Sequence, residues 1–416
     1  MREKRLLVLL ACLVVATIGF GITLPVLPFY AERLALRGRA SAADVAMQVA
    51  VLTAVYPMVQ LIFAPLWGRS SDRLGRKRLV VIGIGGAALA QIAFGLATTL
   101  PRLYAARVFG GIVTSAIFPA AAAYVADSTT ERERVRGMAW LGTASSLGVV
   151  VGPALGGALA RTRWTVLVPG GPFTVTGFAV PFFAAALLAL IATITTVIWL
   201  PESEPVDAAV NVHALDRVRH PMSELLTFGP FLTLLSLAVA GQFGLALFES
   251  TFALYAKRMW SYGPAEVGRA FIVCGLVMSL AQTGVAAMLA RRVGELRQVA
   301  AGFALVGISL ALLPSAQSMS AMLMSVGALA LGIAAISPNI AALISMHGGS
   351  RSGSSLGLQG AANSLGQVFG TLAGGALLGW QMEAPFRLAA ITLLGVTLIV
   401  AWLSRRTAWA ARQQHL

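Results

Sequence analysis

Twelve long apolar runs, parted by short stretches carrying charge, glycine or proline, set the limits on what this chain can fold into. They lie near residues 6–29, 45–67, 79–98, 102–124, 138–160 and 179–200, then 229–252, 265–289, 298–316, 319–344, 355–378 and 385–404. Coiled as α-helices, runs of roughly 17–25 residues match the hydrocarbon thickness of a bilayer. Lipid offers no partner to a bare N–H or C=O, so a spanning segment must satisfy its own backbone as a helix or join a closed barrel. The runs here are continuous in apolar character and do not alternate, which selects helices. Only 11% of the 416 residues are charged, against 57% hydrophobic, at a mean hydropathy of +0.81, a composition that excludes an ordinary soluble domain. The expected fold is an all-α integral membrane protein with twelve transmembrane helices in two six-helix bundles. The first bundle covers 1–200 and the second 229–416, with a polar linker at 201–228 that holds Glu202, Glu204, Asp207, Asp216, Arg217 and Arg219.

A formal charge of +15 would suggest nucleic acid in a soluble protein, but no window combines a basic patch with a water-compatible fold. The charge reads instead as topology, because cationic loops stay on the cytoplasmic side. With the N-terminus inside, the cytoplasmic segments hold 20 of the 31 lysines and arginines and the outer segments 8, while Arg107, Arg269 and Arg387 fall within spans. Both termini are therefore expected in the cytoplasm. Arg2, Lys4 and Arg5 ahead of an apolar stretch imitate a signal peptide, yet the stretch continues to Tyr30 without a small-residue cleavage pattern, so it reads as the first span. Cys12 and Cys274 lie in apolar runs without metal-ligand spacing and read as small buried hydrophobes.

The halves repeat one another. Ser146–Ala160 reads SLGVVVGPALGGALA and Ser364–Leu378 reads SLGQVFGTLAGGALL, identical at nine of fifteen positions at an offset of 218. This places related segments in the fifth span of each half.

The run Gly68-Arg69-Ser70-Ser71-Asp72-Arg73-Leu74-Gly75-Arg76-Lys77-Arg78 sits between the second and third spans. Gly68 permits close approach of two helix ends, Gly75 allows a tight turn, and Asp72 needs a donor for its charge. This stretch resembles the G-x-x-x-D-R-x-G-R-[RK] loop of the major facilitator superfamily, and the whole chain resembles its twelve-helix drug:proton antiporters. The resemblance implies a conformational latch made by Gly68, Asp72, Arg73, Gly75, Arg76, Asp127 and Arg351, in which Arg76 and Asp127 join Asp72 in a charge relay and the start of the eleventh span, near Ser352–Ser355, is the partner. Charges that merely fix topology are the plainer alternative. The corresponding stretch of the second half, Arg291-Arg292-Val293-Gly294-Glu295, keeps the glycine but has arginine in place of Asp72.

Two further elements are similar to motifs of the same antiporters. Leu103-x-x-x-Arg107-x-x-Gly110-Gly111 places an arginine inside the fourth span, where it needs a cavity or a partner unless it snorkels to the surface. The resemblance links Arg107 to proton transfer. Gly148, Gly152 and Gly156 recur every fourth residue in the fifth span, beside Pro153 and Gly157. They form a flat strip for backbone-to-backbone packing, and Pro153 removes a backbone donor. The resemblance associates this motif with export as against import, although a glycine strip by itself serves plain helix packing. Pro25 and Pro28 near the end of the first span read as shaping the helix.

Among carboxylates, Glu249 lies most clearly inside a span, the seventh. Low dielectric disfavours a carboxyl group's charged form, which suits a site that binds and releases a proton; a helix-end acid with a structural partner is the alternative. Tyr56 and Gln60, Phe248, Glu249 and Phe252, Asn339, Gln359 and Asn363 supply aromatic and amide groups for a substrate pocket, or for interhelical bonding. No phosphate loop, metal cluster or nucleophile–base pattern speaks for an enzyme. The expected function is proton-coupled antiport exporting small lipophilic drugs or metabolites by alternating access between two bundles in the cell membrane. Protons are the coupling ion, no cofactor, metal or nucleic acid is implied, and a monomer is expected from the resemblance. The alternative is a proton-coupled importer or facilitator of a sugar or carboxylate. Tetracycline-specific export is disfavoured because the first, third and ninth spans have no interior acid.

Overall fold

The computed structural model describes residues 2–37, 41–128, 131–160, 165–167, 174–202, 229–282, 294–348 and 352–413. Among these the helices are α1 (Arg2–Arg37), α2 (Ala42–Leu74), α3 (Arg76–Gly95), α4 (Leu100–Thr114), α5 (Ile117–Ser128), α6 (Glu131–Leu159) and α7 (Val180–Trp199). They continue with α8 (Gly229–Trp260), α9 (Pro264–Leu280), α10 (Glu295–Leu312), α11 (Met319–Gly348), α12 (Ser352–Trp380) and α13 (Ala384–Gln413). Each of the twelve apolar runs carries helix. Ten helical segments are long and apolar enough to cross a membrane, with α4 and α5 together counting as one. The other two runs are α9, whose described helix has 17 residues, and α12, which is diluted by glycine, serine, Gln359 and Asn363.

Two details depart from the all-helical expectation of one helix per run. The fourth run breaks at Ser115–Ala116, which form a turn between α4 and α5. Thr114 and Ser115 bond their hydroxyls back to the carbonyls of Gly110 and Ile112 at 2.7 Å, and Pro119 supplies no N–H to the carbonyl of Ser115. Between α6 and α7, the strands β1 (Thr165–Leu167) and β2 (Thr174–Thr176) pair antiparallel with Thr165 opposite Thr176. Threonine and valine favour extended backbone, and the sequence between the strands contains Pro169-Gly170-Gly171-Pro172.

The chain divides into two compact units. The first is Met1–Pro221 with Ala253–Ile272, and the second is Met222–Phe252 with Val273–Leu416. Within the first unit, packing follows the rule for helices in lipid: small residues face protein and large apolar ones face out. On α7, Ala185, Ala186, Ala189 and Ala192 are buried, whereas Leu187, Leu190, Ile191, Ile194 and Ile198 are exposed. Its core joins Leu9 and Leu13 of α1 to Ile84 of α3, Tyr124 of α5 and Leu141 of α6. Cys12 is free and buried there, 2.7 Å from the Thr196 hydroxyl; Cys274 of the second unit is free and buried as well.

The glycine strip explains how α1 and α6 meet. A Cβ at Gly148 would overlap Thr17 and the Val14 carbonyl, one at Gly152 would lie 2.6 Å from Gly21 Cα, and one at Gly156 would lie 2.8 Å from the Ile22 carbonyl. The Pro153 ring packs on Gly21, and Gly157 faces the carbonyl of Pro264 and Gly268 at the start of α9. Within the second unit α12 meets α8 the same way. Gly366 faces Val239 and Gln242, Gly370 faces Phe243, and Gly374 faces Leu247 and Ser250. The glycines repeat at an offset of 218, from 148 to 366. Their partners repeat at 225: Val14 to Val239, Thr17 to Gln242, Ile18 to Phe243, Ile22 to Leu247 and Pro25 to Ser250. Replacing Gly152 by leucine must force these backbones apart, a cost of about 1–3 kcal/mol or more. Gly152→Leu is expected to lower the apparent Tm in detergent by several degrees and broaden the size-exclusion peak. Gly142→Leu, on the same helix with open space around its Cα, is expected to match wild type in both.

Candidate functional site

Among the described residues, four constellations gather polar side chains that the fold places away from water or at a helix junction. The first is a cavity inside the first unit, lined from α1 by Val15, Gly19, Phe20 and Thr23, from α2 by Tyr56, from α3 by Ala87, Gln91 and Phe94, and from α4 by Arg107 and Thr114. Tyr56 donates to or accepts from the Thr114 hydroxyl at 3.0 Å, and its ring lies 5.7 Å from that of Phe20. The Arg107 guanidinium sits over the Tyr56 ring, 4.8 Å from its centroid. Arg107 is 5% exposed, so it does not snorkel. Tyr56 and Arg107, singled out from sequence for different reasons, thus share one site. Gln60, one turn beyond Tyr56, is half-buried and does not line the cavity. Gln91 was missed. An amide in the middle of the third run is the same signal that drew notice to Gln60, Gln359 and Asn363.

The second constellation surrounds Glu249 in the second unit. The residue as a whole is half-buried, its carboxyl has no ion pair or hydrogen bond among the described residues, and it lies within electrostatic reach of the Cys274 thiol. Phe248 and Phe252 flank it in sequence with rings 4.9 Å apart, both wholly buried. Thr251 and Ser250 bond back to the Leu247 carbonyl, so the hydroxyls next to Glu249 serve their own helix. Asn339, 5% exposed, likewise donates to the Ala335 carbonyl at 2.7 Å. Gln359 is buried and Asn363 half-buried, one turn apart on one face of α12.

Third is the α2–α3 junction. Gly75 adopts φ +91°, a conformation costly for any side chain, and caps α2 while starting α3. Gly294, φ +88°, likewise stands at the N-terminus of α10. Arg76 Nε donates to Asp127 Oδ2 at 3.0 Å, which joins two of the expected relay residues. The side chains of Asp72 and Arg73, and Arg351 altogether, lie outside the described residues. No described atom comes within 4 Å of a Cβ placed at Gly68, so the close approach expected there is not found among the described residues. Glu202 was not foreseen in this role. Its carboxylate accepts from the Lys77 backbone N–H at 2.9 Å and fills the space beside Gly75, where a Cβ would lie 2.8 Å from it. It thereby caps an α3 N-terminus that has no side-chain cap of its own.

Fourth, α8 runs to Trp260, beyond the expected end of the seventh run near 252. This extension carries Lys257 into the first unit, where its Nζ reaches Glu32 Oε2 of α1 at 2.7 Å. Arg258 donates to the Ala42 carbonyl at 3.1 Å. Glu32 is 7% exposed, and Lys257 supplies the counter-charge that a buried carboxylate needs.

The profile of the Major Facilitator Superfamily matches residues 9–298. The chain belongs to the Major Facilitator Superfamily. It is accordingly a multi-pass transport protein and not an enzyme. Multidrug resistance protein 1 of Bacillus subtilis (strain 168) is 29% identical over 402 residues, covering 95% of this chain and 96% of that protein. Quinolone resistance protein NorA of Staphylococcus aureus (strain Mu50 / ATCC 700699) is 23% identical over 399 residues, covering 96% of each. Among solved structures, a D-xylose-proton symporter superposes with a TM-score of 0.74 at 16% identity, over 95% of this chain and 96% of that one. The human organic anion transporter MFSD10 (TETRAN) gives 0.67 at 20%, over 96% and 99%. At such identities these superpositions establish the facilitator fold.

Two predictions follow from the junctions. Gly75→Ala combines backbone strain with a collision at Glu202; it is expected to lower the Tm, and Gly75→Ala/Glu202→Ala is expected to recover only the collision part. Charge reversal at Glu32 or Lys257 alone is expected to destabilise the protein in a thermal melt, while Glu32→Lys/Lys257→Glu restores part of the loss, the coupling energy being about 1 kcal/mol or more for a half-buried pair.

Proposed function

We propose that this facilitator is a proton-coupled antiporter that exports small lipophilic drugs or metabolites from the cytoplasm. Its two six-helix halves, twelve spans in all with both termini cytoplasmic, alternate access to a midplane site in the cell membrane. The observation that carries the reading is Glu249, a carboxyl group in the middle of α8 with no cation to hold its charge among the described residues. Such a group gains and loses a proton at low electrostatic cost to its surroundings, whereas an ion-paired acid would have to break its pair. Export as the direction is supported by Gly148, Gly152, Pro153, Gly156 and Gly157, the strip that resembles the antiporter motif, and by relatives named for multidrug and quinolone resistance.

The reading gives each residue a role. Glu249 takes the proton. Arg107 is the fixed charge against which protonation elsewhere is balanced, and Tyr56, Phe248, Phe252, Asn339, Gln359 and Asn363 offer rings and amides to substrate. The Arg76–Asp127 pair, with Asp72, Arg73 and Arg351, forms the cytoplasmic latch, and Glu202 holds the turn on which it is built. Glu32–Lys257 is its counterpart at the opposite face. No cofactor other than the coupling proton is required, and the monomer is the working unit.

The test uses everted membrane vesicles with an imposed pH gradient and ethidium as substrate. Wild type is expected to accumulate ethidium as the gradient forms. Glu249→Gln at equal expression is expected to lose gradient-driven accumulation while still equilibrating ethidium downhill. Uphill transport by the variant would remove Glu249 from the coupling step, and downhill-only movement by wild type would remove the antiport reading itself.

A further inference from the structure

The break in the fourth span is held by more than its own residues. The Ala116 N–H reaches the Val113 carbonyl at 3.3 Å, three residues back, in place of the Ile112 carbonyl four residues back. Pro119 has no N–H to offer the Ser115 carbonyl, and regular pairing resumes at Ala120, whose N–H donates to the Ala116 carbonyl at 3.2 Å. A bare carbonyl is costly in lipid, so a broken span needs donors from outside its own backbone. The Ile112 carbonyl has two, the Ser115 hydroxyl at 2.7 Å and the indole Nε1–H of Trp67 at 2.7 Å. The second comes from α2, and Trp67 is the residue immediately before Gly68.

The two halves of the span are fastened to different neighbours. On α4, the Tyr104 hydroxyl donates to the Gln48 carbonyl of α2 at 3.0 Å, and Thr114 bonds Tyr56 of the same helix. On α5, the Tyr124 hydroxyl donates to the Pro201 carbonyl beyond α7 at 3.0 Å, and Asp127 accepts from Arg76 of α3. Helix α3 meets the break itself with glycine: a Cβ at Gly86 would lie 2.5 Å from Val113 Cβ, and one at Gly83 would lie 2.5 Å from Ile117 Cγ1. The residues flanking the turn therefore rest on bare backbone, with no side chain interlocked between them. Two separately tied halves, a turn without a continuous ladder and a smooth bed beneath it are the parts of a hinge. We propose that the fourth span is two rigid halves hinged at Ser115–Ala116, and that the Trp67 indole is the strap that holds the hinge in the bent conformation seen here. Turning the hinge swings Asp127 relative to α4 and takes Trp67, with the 68–78 loop that follows it, off the Ile112 carbonyl. That the hinge turns during transport rests on the alternating-access reading.

The full-length protein with Cys12→Ala and Cys274→Ala, spin-labelled at Arg102→Cys and Ser128→Cys, is placed in phosphatidylcholine nanodiscs without substrate or gradient, and the distance between labels is read by double electron–electron resonance. A continuous helix would hold these positions about 39 Å apart, and the bend brings them closer. On the otherwise unchanged chain the shorter distance is expected to dominate. Trp67→Phe keeps a ring and removes the donor, and is expected to raise the ratio of the longer to the shorter distance about fivefold, the worth of one neutral hydrogen bond. Pro119→Ala restores the missing N–H and is expected to shift the ratio the same way without lowering the Tm. Trp199→Phe, 67% exposed on α7, is expected to leave it unchanged. A lowered Tm in Trp67→Phe with an unchanged distance distribution would make the indole a structural contact only and overturn the proposal, as would an unchanged distribution in Pro119→Ala. If Trp67→Phe does not fold, the Pro119→Ala distribution decides alone. In vesicles without a gradient, Trp67→Phe is expected to slow downhill ethidium equilibration severalfold, because each cycle must return to the bent state. A wild-type rate alongside shifted distances would overturn the hinge's part in the cycle. Wild type that moves no ethidium would remove the export reading and leave the distances to decide the hinge.

Discussion

The contact between α1 and α6, backbone against backbone along Gly148, Gly152 and Gly156, is the one on which the arrangement of the first unit rests. In lipid there is no hydrophobic force to press two apolar helices together, so close approach and the dispersion it brings must do so. Glycine is the only residue that fits where a Cβ would sit on Gly21 or overlap Thr17. With α1 held there, Gly19, Phe20 and Thr23 form one wall of the Arg107 cavity, and Glu32 is presented to Lys257 farther along the same helix. The second unit repeats the contact with α8 in place of α1. The two offsets, 218 for the glycines and 225 for their partners, make the duplication one of packing as well as of sequence.

Against this apolar frame, the cost of burying charge sorts the ionisable side chains. At helix ends Arg76 pairs with Asp127, Glu202 with the α3 N-terminus and Glu32 with Lys257. Each pair ties a junction of helices, where a modest rearrangement makes or breaks it. Those in the middle of helices, Arg107 in one unit and Glu249 in the other, have no counter-ion among the described residues. A transporter must leave some charge unsatisfied in one state in order to bind something in another, and in the function proposed above Glu249 fills that role for the proton.

Much of this was legible in the sequence, and the failures have physical causes. Helix positions followed from the length and continuity of the apolar runs. Gly75 was legible because a charged turn of that tightness needs a residue tolerant of positive φ, and Arg76–Asp127 because the loop resembles that of a known family. The break at Ser115–Ala116 escaped notice because hydropathy is blind to hydroxyls that bond back to their own helix. The eight residues by which α8 outruns its apolar segment were missed because Lys257 and Arg258 look like loop charges until their partners are known. Glu202 and Gln91 were passed over because their partners, the Lys77 N–H and the Gly19 carbonyl, are backbone groups that any sequence offers everywhere.

The sequence by itself determined that the chain is a bundle of membrane helices, that its halves are related, and which few residues carry charge into apolar surroundings. Those properties are local: they depend on run length, spacing and residue type, and the bilayer enforces them one helix at a time. Only the tertiary structure decided which of those charges are satisfied. Whether Arg107 faces an acid, a ring or an empty space depends on what the four other helices that line its cavity place around it, and that is fixed by how closely the glycine strips let the backbones approach.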